Sequence, residues 1–338
     1  MVDKSQQFIF VHTPSWCVDN TSAPFNIASE EYLLERTTGS YIYFWRNKSA
    51  VIVGKNQNTL SEVDLDYTDN HGIEVVRRMS GGGAVYHDLG NICYTVIAPY
   101  NKNVDTYREF SAPLINYLNS IGIPATFSGR NDISVNGYKV SGNAERIYRD
   151  RVMHHGTLLF DTDLSVLEKA LIPSPLKLKS KGIKSVRARV KNIKQLCNVK
   201  DTVDDFFGKL CNHFSSLYEQ KEFTSEEIFE IKRIARDKYS TYNWNVGTSP
   251  KAECVVKAKF DYGIVEVYFD LVDGVMENVK IHGDFFQIGN ISEIEANLNG
   301  IRPIRQSLRE ALEDVGQYIR GAEVEQFIEK IFFSGENL

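Results

Sequence analysis

Long apolar runs are missing from this chain. No stretch approaches the length that crosses a bilayer, and the first twenty residues hold only the short run from Phe8 to Val11, with no cleavage-site pattern. The expectation is a cytoplasmic protein with neither membrane span nor signal peptide. Cysteine is sparse. Cys17, Cys93, Cys197, Cys211 and Cys254 are scattered, odd in number and without C-x-x-C spacing. Neither a zinc site nor a disulfide framework is supported, and free thiols in a reducing compartment are expected. Positive charge is not in excess either. The 39 Lys and Arg face 44 Asp and Glu, a net of −5, which argues against a general nucleic-acid binder. Three motif absences narrow the chemistry further. Without G-x-x-x-x-G-K-[ST] a P-loop is unsupported, without G-x-G-x-x-G after a strand a Rossmann site is unsupported, and without G-x-S-x-G an α/β-hydrolase is disfavoured. What remains is a 338-residue chain, 42% hydrophobic and 25% charged, long enough for one large domain or two unequal ones.

The pattern of the chain predicts alternating strands and helices. Phe8 to His12, Ser40 to Trp45, Ala50 to Val53, Ile73 to Val76, Ala84 to Tyr86 and Asn91 to Ala98 read as strands. Asn26 opens a predicted helix from Ile27 to Arg36, with Glu30 and Glu31 near its start. Ser61 to Asn70, Asp105 to Ile121, Asp163 to Leu171, Thr202 to Tyr218 and Ser225 to Tyr239 read as further helices. Asn136-Gly137 between alternating runs predicts a type I′ hairpin, and a strand runs through His154 to Phe160. Asn243 to Pro250 reads as a boundary loop. Beyond it a β-meander is expected over Glu253 to Phe260, Ile264 to Leu271 and Val275 to His282, with Asp273-Gly274 as a turn and a last helix from Ala322 to Phe332. Residues 252–338 hold 16 acidic and 8 basic side chains, a net of −8. They read as a small acidic α+β domain (252–338) after a larger first domain (1–246).

Three stretches carry the chemistry. The first is Arg77-Arg78-Met79-Ser80-Gly81-Gly82-Gly83-Ala84-Val85-Tyr86-His87-Asp88. Three glycines alone read equally as a hairpin turn. With two arginines before them they read as an anion cradle, because glycine admits φ > 0 and close approach, and successive N–H groups form a concavity for anions. The second is the Asn136-Gly137 hairpin. It sets Lys139 on the face opposite Tyr138 and Val140; a lone strand lysine is more often merely exposed. His87, His154 and His155 equally read as local hydrogen-bonding groups, and Asn131 and Asp132 as turn residues. The third runs from Pro175 to Lys194. It holds eight Lys or Arg and no acidic residue, and reads as a basic, glycine-hinged loop able to close on an anion. Together with Arg146 these pieces point to a site for a small anionic ligand, such as an acyl phosphate or nucleotide.

In order along the chain, the Arg-Arg-x-Ser-Gly-Gly-Gly-Ala-Val-Tyr-His-Asp stretch is followed by Gly90-Asn91, Gly129-Arg130-Asn131-Asp132, Lys139-Val140-Ser141-Gly142, His154-His155-Gly156-Thr157-Leu158-Leu159 and Lys181-Gly182-Ile183-Lys184-Ser185-Val186-Arg187. This series, with the earlier Asn26-x-Ala28-x-Glu30-Glu31-x-Leu33, resembles the lipoate–protein ligases over about the first 190 residues. The resemblance implies an α+β fold of the biotin/lipoate ligase type, a central mixed sheet flanked by helices, with a small C-terminal accessory domain. It implies ATP and Mg²⁺ as cofactors and lipoate as substrate. Lipoyl-AMP forms first; a lysine of an apo lipoyl domain then takes the acyl group. The implied acceptors are the E2 subunits of 2-oxoacid dehydrogenase complexes and the glycine-cleavage H protein, with no nucleic acid or membrane as partner. Lys139 is implied as the catalytic residue. Arg78, Ser80, Gly81, Gly82, Gly83, Val85, His87, Lys139, His155 and Gly156 are implied on the lipoyl side. Gly83, Tyr86, Asn131, Asp132, Lys139, Arg146, Lys181 and Val186 are implied on the ATP side, with Asp132 as candidate metal ligand. An alternative on the same fold is a lipoyl or octanoyl transferase working through a cysteine thioester. It needs an activated cysteine in the loop Lys177 to Val190, and none is there.

Overall fold

The structure, a computed structural model, describes residues 7–172, 190–247, 252 and 254–333. Its main layer is an eight-stranded mixed sheet. β1 (Phe8–His12) lies parallel to β2 (Ser40–Trp45) on one side and to β11 (Glu219–Glu222) on the other. From β2 the sheet continues antiparallel through β6 (Asn91–Pro99), β10 (Arg151–Leu159), β9 (Tyr138–Tyr148), β8 (Asp132–Val135) and β7 (Ala125–Ser128). Every residue of β2 is buried, because helices cover both faces. Alternation splits the side chains between two cores. Phe10, Phe44, Tyr94 and Val152 face one, with Phe206, Leu210 and Phe214. Tyr43, Trp45, Cys93, Ile97 and Met153 face the other, with Ile27, Leu33 and Ile231.

Among the described residues the α-helices of this first unit are α1 (Ala23–Glu35), α2 (Thr59–Glu62), α3 (Leu65–Asn70), α4 (Thr106–Ser120), α5 (Leu164–Ala170), α6 (Ile193–Cys197), α7 (Val203–Leu217) and α8 (Ser225–Ile234). α1 starts four residues before the expected position, with Pro24 in its first turn, where the missing N–H costs nothing. Asn26 is therefore inside the helix. Its amide donates to the carbonyls of Asn20 and Arg46 and to Asn47 Oδ1, which tie the helix to the turn after β2. The expected helix Ser61 to Asn70 is two short ones, broken where Asp64 caps the second by accepting from the Tyr67 amide. α8 passes into a π-helical turn, Ala235–Tyr239.

A second sheet places β3 (Ala50–Val53) between β4 (Glu74–Arg77), parallel to it, and β5 (Val85–His87), antiparallel. The Gly-rich stretch is thus not a hairpin turn. It crosses over the end of β3 to join two strands that never pair. The Asn136-Gly137 turn has φ of 51° and 79°, and Asp273-Gly274 has 52° and 76°, both as a type I′ turn requires. The second turn joins β13 (Gly263–Val272) to β14 (Val275–Gly283), and β12 (Cys254–Phe260) completes a three-stranded antiparallel meander. Its own core includes Val265, Ile281, Leu298 and Phe327. The last expected helix begins at Val324 and becomes a π-helical turn at Glu329–Phe333.

The two units touch along the Gly-rich stretch. The Gly82 amide donates to the Phe285 carbonyl (3.3 Å), and the Gly283 amide donates to the Asn56 carbonyl (2.5 Å). Asn58 Nδ2 donates to the Tyr268 hydroxyl (3.0 Å), and Arg320 reaches Glu145 (3.5 Å). The expected boundary loop is in part a structural plug. Asn243–Gly247 is a π-helical turn whose Asn245 is buried against Arg77.

Candidate active site

Cross-strand partners share a face, so the register of the large sheet lays out the floor of the site. Tyr43, Thr95, His155 and Ala144 form one row, and Tyr41, Ile97, Met153 and Arg146 the next. A register shift between Ile133 and Ser134 then brings Lys139 opposite Ser134, on the face that carries Asp132 and Gly142. Lys139 Nζ lies 2.7 Å from Asp132 Oδ1, and both side chains are about a third exposed (37% and 31%). A Cβ added to Gly142 would sit 3.1 Å from Lys139 Nζ, so the glycine lets the lysine lie flat along the strand. β9 thus runs from Lys139 past Gly142 and Ala144 to Arg146, with little side chain between the two cations.

The Gly-rich stretch faces this floor. Arg77 and Arg78 do different work. Arg77 is 2% exposed and ties five carbonyls (Gly54, Lys55, Gln57, Trp244 and Asn245) and the Thr59 hydroxyl. It fixes the β3–α2 loop. Arg78 donates from Nε to Ser80 Oγ (3.0 Å) and from its two terminal nitrogens to the carbonyls of Ile52, Gly81 and Gly83. It shapes the glycine loop from inside. Burial pulls both guanidinium groups down to about 10, still charged at neutral pH. Gly81 and Gly82 also have protein-side reasons. A Cβ on Gly81 would collide with the Phe285 carbonyl, and Gly82 has φ +90° with Arg78 pressed against it. Gly83 has only Asp284 Oδ2 at 4.0 Å.

Ser80 enters a buried chain of hydrogen bonds. Its hydroxyl meets His155 Nε2 at 2.6 Å, and His155 Nδ1 meets Glu30 Oε1 at 2.9 Å. Thr95 Oγ1 donates to Glu30 (2.5 Å), and Trp45 Nε1 donates to Thr95 (3.0 Å). Four side chains from α1, β2, β6 and β10 thus lock Ser80. The sequence showed His155 and Ser80, and Glu30 only as part of a helical motif without a role; Thr95 and Trp45 went unseen, since nothing local marks a helix glutamate as buried against them.

The other expected site residues differ in their surroundings. His87 is buried beside Asn47 and Cys93, and burial, then the charges of Arg78 and His155, pull it down to about 3. Tyr86 packs in a separate core with Val51, Val53 and Ala170, and its hydroxyl donates to Ser49. Val85 packs beside the core of α1 and Met79. Asn131 exchanges hydrogen bonds with Asn143, and Gly156 is wedged against Asn143 and Tyr94 on the opposite face of the sheet from His155. His154, also on that far face, pairs with Glu145 (3.1 Å). Arg146 pairs with Glu35 (3.6 Å). Lys181 and Val186 lie outside the described residues.

Among the described residues no group of three His, Cys, Asp or Glu side chains is placed to cage a metal. A magnesium ion bound with phosphates needs only one or two protein carboxylates, and the carboxylate that stands beside Lys139 is that of Asp132. Burial pushes the thiol of Cys93 well up, that of Cys211 up to about 12, and that of Cys197 up as well, so none of the three is poised as a thiolate. No helix among the described residues is long and apolar enough to cross a membrane.

A mixed sheet with a lysine beside a glycine on one strand, and a glycine loop opposite, is the arrangement of an enzyme site for an anionic ligand. The sequence model described as "Lipoyl protein ligase A/B catalytic domain" matches residues 22–215, and that described as "Bacterial lipoate protein ligase C-terminus" matches 249–331. The chain belongs to the lipoate–protein ligase family. It is 40% identical to "Lipoate--protein ligase 1" of Staphylococcus aureus over 303 residues, 88% of this chain and 92% of that one. It is 36% identical to "Lipoate-protein ligase LplJ" of Bacillus subtilis over 317 residues, 91% and 96% of the two chains. Among solved structures, LipL1 of P. falciparum in complex with lipoate superposes with a TM-score of 0.77 at 26% identity, covering 95% and 97% of the two chains. A bipartite lipoate protein ligase with its E2 lipoyl domain from Thermoplasma acidophilum gives 0.62 at 27%, covering 74% and 100%. A lipoate-protein ligase A bound with ATP gives 0.58 at 26%, covering 72% and 98%.

Proposed function

We propose that this protein activates lipoate with ATP and passes the lipoyl group to a lysine of an apo lipoyl domain. A carboxylate oxygen of lipoate attacks the α-phosphorus of ATP, and pyrophosphate leaves with the broken P–O bond. The acceptor amine then attacks the acyl carbonyl of lipoyl-AMP, loses a proton and expels AMP. Neither step needs a nucleophile on the enzyme. Both crowd negative charge, so the protein's task is to position the reactants and to neutralise that charge.

The observation that carries the reading is Lys139. It stands on the open floor beside Gly142, and Asp132 fixes its ammonium at 2.7 Å. In this reading Lys139 bridges the acyl oxygen and the α-phosphate, and Asp132 steers it. The glycine loop lies against the anion, with the Gly82 amide already given to the Phe285 carbonyl, and the Ser80–His155–Glu30 chain holds that loop in place. Magnesium, held by Asp132 and the phosphates, would supply charge neutralisation. The aliphatic chain lies on the apolar side near Val85, each buried CH₂ contributing about 0.8 kcal/mol. Residues 1–246 are the catalytic unit and 252–338 the accessory unit. The acceptors are lipoyl domains of 2-oxoacid dehydrogenase E2 subunits and the glycine-cleavage H protein. The test is lipoate-dependent exchange of labelled pyrophosphate into ATP by the full-length protein. No exchange, together with acyl transfer from an octanoyl carrier protein, would overturn the reading.

A further inference from the structure

Lys139 projects from a stretch of β9 that its neighbouring strands support poorly. On one side the pairing with β8 shifts register between Ile133 and Ser134, and the turn at Asn136-Gly137 is only two residues away. On the other side β10 accompanies β9 only as far as the pair Gly156 and Asn143, four residues short of Lys139. The segment that leads into α6 takes that edge instead. Val190 pairs with Lys139 in parallel, and the Lys191 amide donates to the Lys139 carbonyl (3.2 Å). Paired residues share a face and neighbours alternate. Val190 therefore stands on the face of Lys139, and Lys191 on the face of Tyr138 and Val140. There Lys191 Nζ lies 4.0 Å from the centre of the Tyr138 ring.

The residues after Lys191 hold it rigidly in that place. Asn192 mimics a strand partner for Thr162: its Oδ1 accepts from the Thr162 amide (3.0 Å), and its Nδ2 donates to the Thr162 carbonyl (2.8 Å). Ile193 is fully buried in the core that also contains Val140, Leu158 and Phe160. The Lys194 amide donates to the Phe160 carbonyl (3.1 Å), and its ammonium pairs with Asp161 (2.5 Å). Asn192, Ile193 and Lys194 thus fasten the segment to the chain just beyond β10. Lys191 is the residue through which that anchor bears on β9.

We propose that Lys191 is a positioning residue for Lys139. Its amide on the Lys139 carbonyl and its ammonium on the Tyr138 ring fix the backbone from which the Lys139 side chain projects. Asp132 then fixes the far end of that side chain at 2.7 Å. Lys191 touches no substrate in this role. Misplacing a reacting group by about 1 Å can cost on the order of a hundredfold in rate, so a loosened Lys139 shows in kcat before it shows in KM.

The proposal rests on the ligase reading and on the role of Lys139 in it, and the experiment separates them. Lys191→Met and Tyr138→Leu are made in the full chain, singly and together. Each single change should lower kcat for lipoate-dependent pyrophosphate exchange about tenfold, with KM for ATP and for lipoate and the thermal melt changed far less. The double variant should be no slower than the slower single one, because the two changes break one contact. Lys191→Arg keeps a cation over the ring and Tyr138→Phe keeps the ring under the cation, so both should recover most of the rate. An unchanged kcat in Lys191→Met, losses that multiply in the double variant, or a Lys191→Arg no faster than Lys191→Met overturns the proposal. Should Tyr138→Leu fail to fold, the comparison of Lys191→Met with Lys191→Arg decides by itself. If the wild-type protein shows no exchange, or Lys139→Ala keeps it, the reading of the reaction has failed instead. Hydrogen exchange then decides the clamp alone: Lys191→Met should lose protection at its own amide and over Tyr138 to Gly142, and protection equal to wild type overturns it.

Discussion

At the scale of single residues the site separates groups that carry charge to the ligand from groups that hold those charges in place. Lys139 belongs to the first kind. Lys139→Ala should leave the thermal melt unchanged and cut lipoate-dependent pyrophosphate exchange by about a hundredfold to a thousandfold. Exchange within a few-fold of wild type would remove Lys139 from the chemistry. Glu30 belongs to the second kind. It is 1% exposed and accepts from both Thr95 and His155. Glu30→Gln places an amide donor against groups that already donate, so urea unfolding should show a loss of about 2 to 4 kcal/mol. A loss below about 1 kcal/mol would mean that the chain of bonds to Ser80 does not depend on that carboxylate.

At the scale of elements the Gly-rich crossover shows what local sequence says and what it leaves out. The Asn136-Gly137 and Asp273-Gly274 turns were legible because a type I′ turn is decided by two residues. A hairpin turn was left open as a reading of these glycines, and it falls because β3, some twenty residues upstream, inserts between the two strands. Nothing between Arg77 and Asp88 announces that insertion. The glycines themselves were read as room for a ligand, and two of them also make room for protein. Gly81 faces the Phe285 carbonyl and Gly83 faces almost nothing. Gly81→Ala should therefore lower Tm and speed hydrogen exchange at Gly283 to Gln287, while Gly83→Ala should leave both near wild type. Equal effects of the two would break the link between Gly81 and the second unit. The same logic applies to the two arginines: Arg78 alone was expected in the site, and the fold shows that its guanidinium ties the glycine loop while that of Arg77 ties the β3–α2 loop.

At the scale of the whole molecule, the second unit rests on the glycine loop and on α4. Its Phe285 carbonyl accepts from Gly82, and its Phe286 ring lies 5.8 Å from that of Tyr107. Deleting residues 252–338 should thus impair pyrophosphate exchange more than transfer from preformed lipoyl-AMP. Equal loss in both half-reactions would sink that assignment. The junction also sets an acid limit. His282 of β14 is buried against Tyr268, and burial, then the charge of Arg77, pulls it down to about 4. His87, under the glycine loop, is pulled to about 3. An unfolded chain binds protons at both rings as pH falls below about 6.5, and the folded protein does not until far lower. The folded state thus keeps this stability in full above pH 6.5. It loses it progressively down to about pH 4 for His282 and about pH 3 for His87. For His282 the loss is about 3 kcal/mol. His282→Gln removes one of the two titrations, so its unfolding free energy should fall less steeply than that of wild type between pH 6.5 and 4. Parallel curves for the two proteins would show that His282 keeps its ordinary affinity for a proton and that the junction is not what acid undoes first.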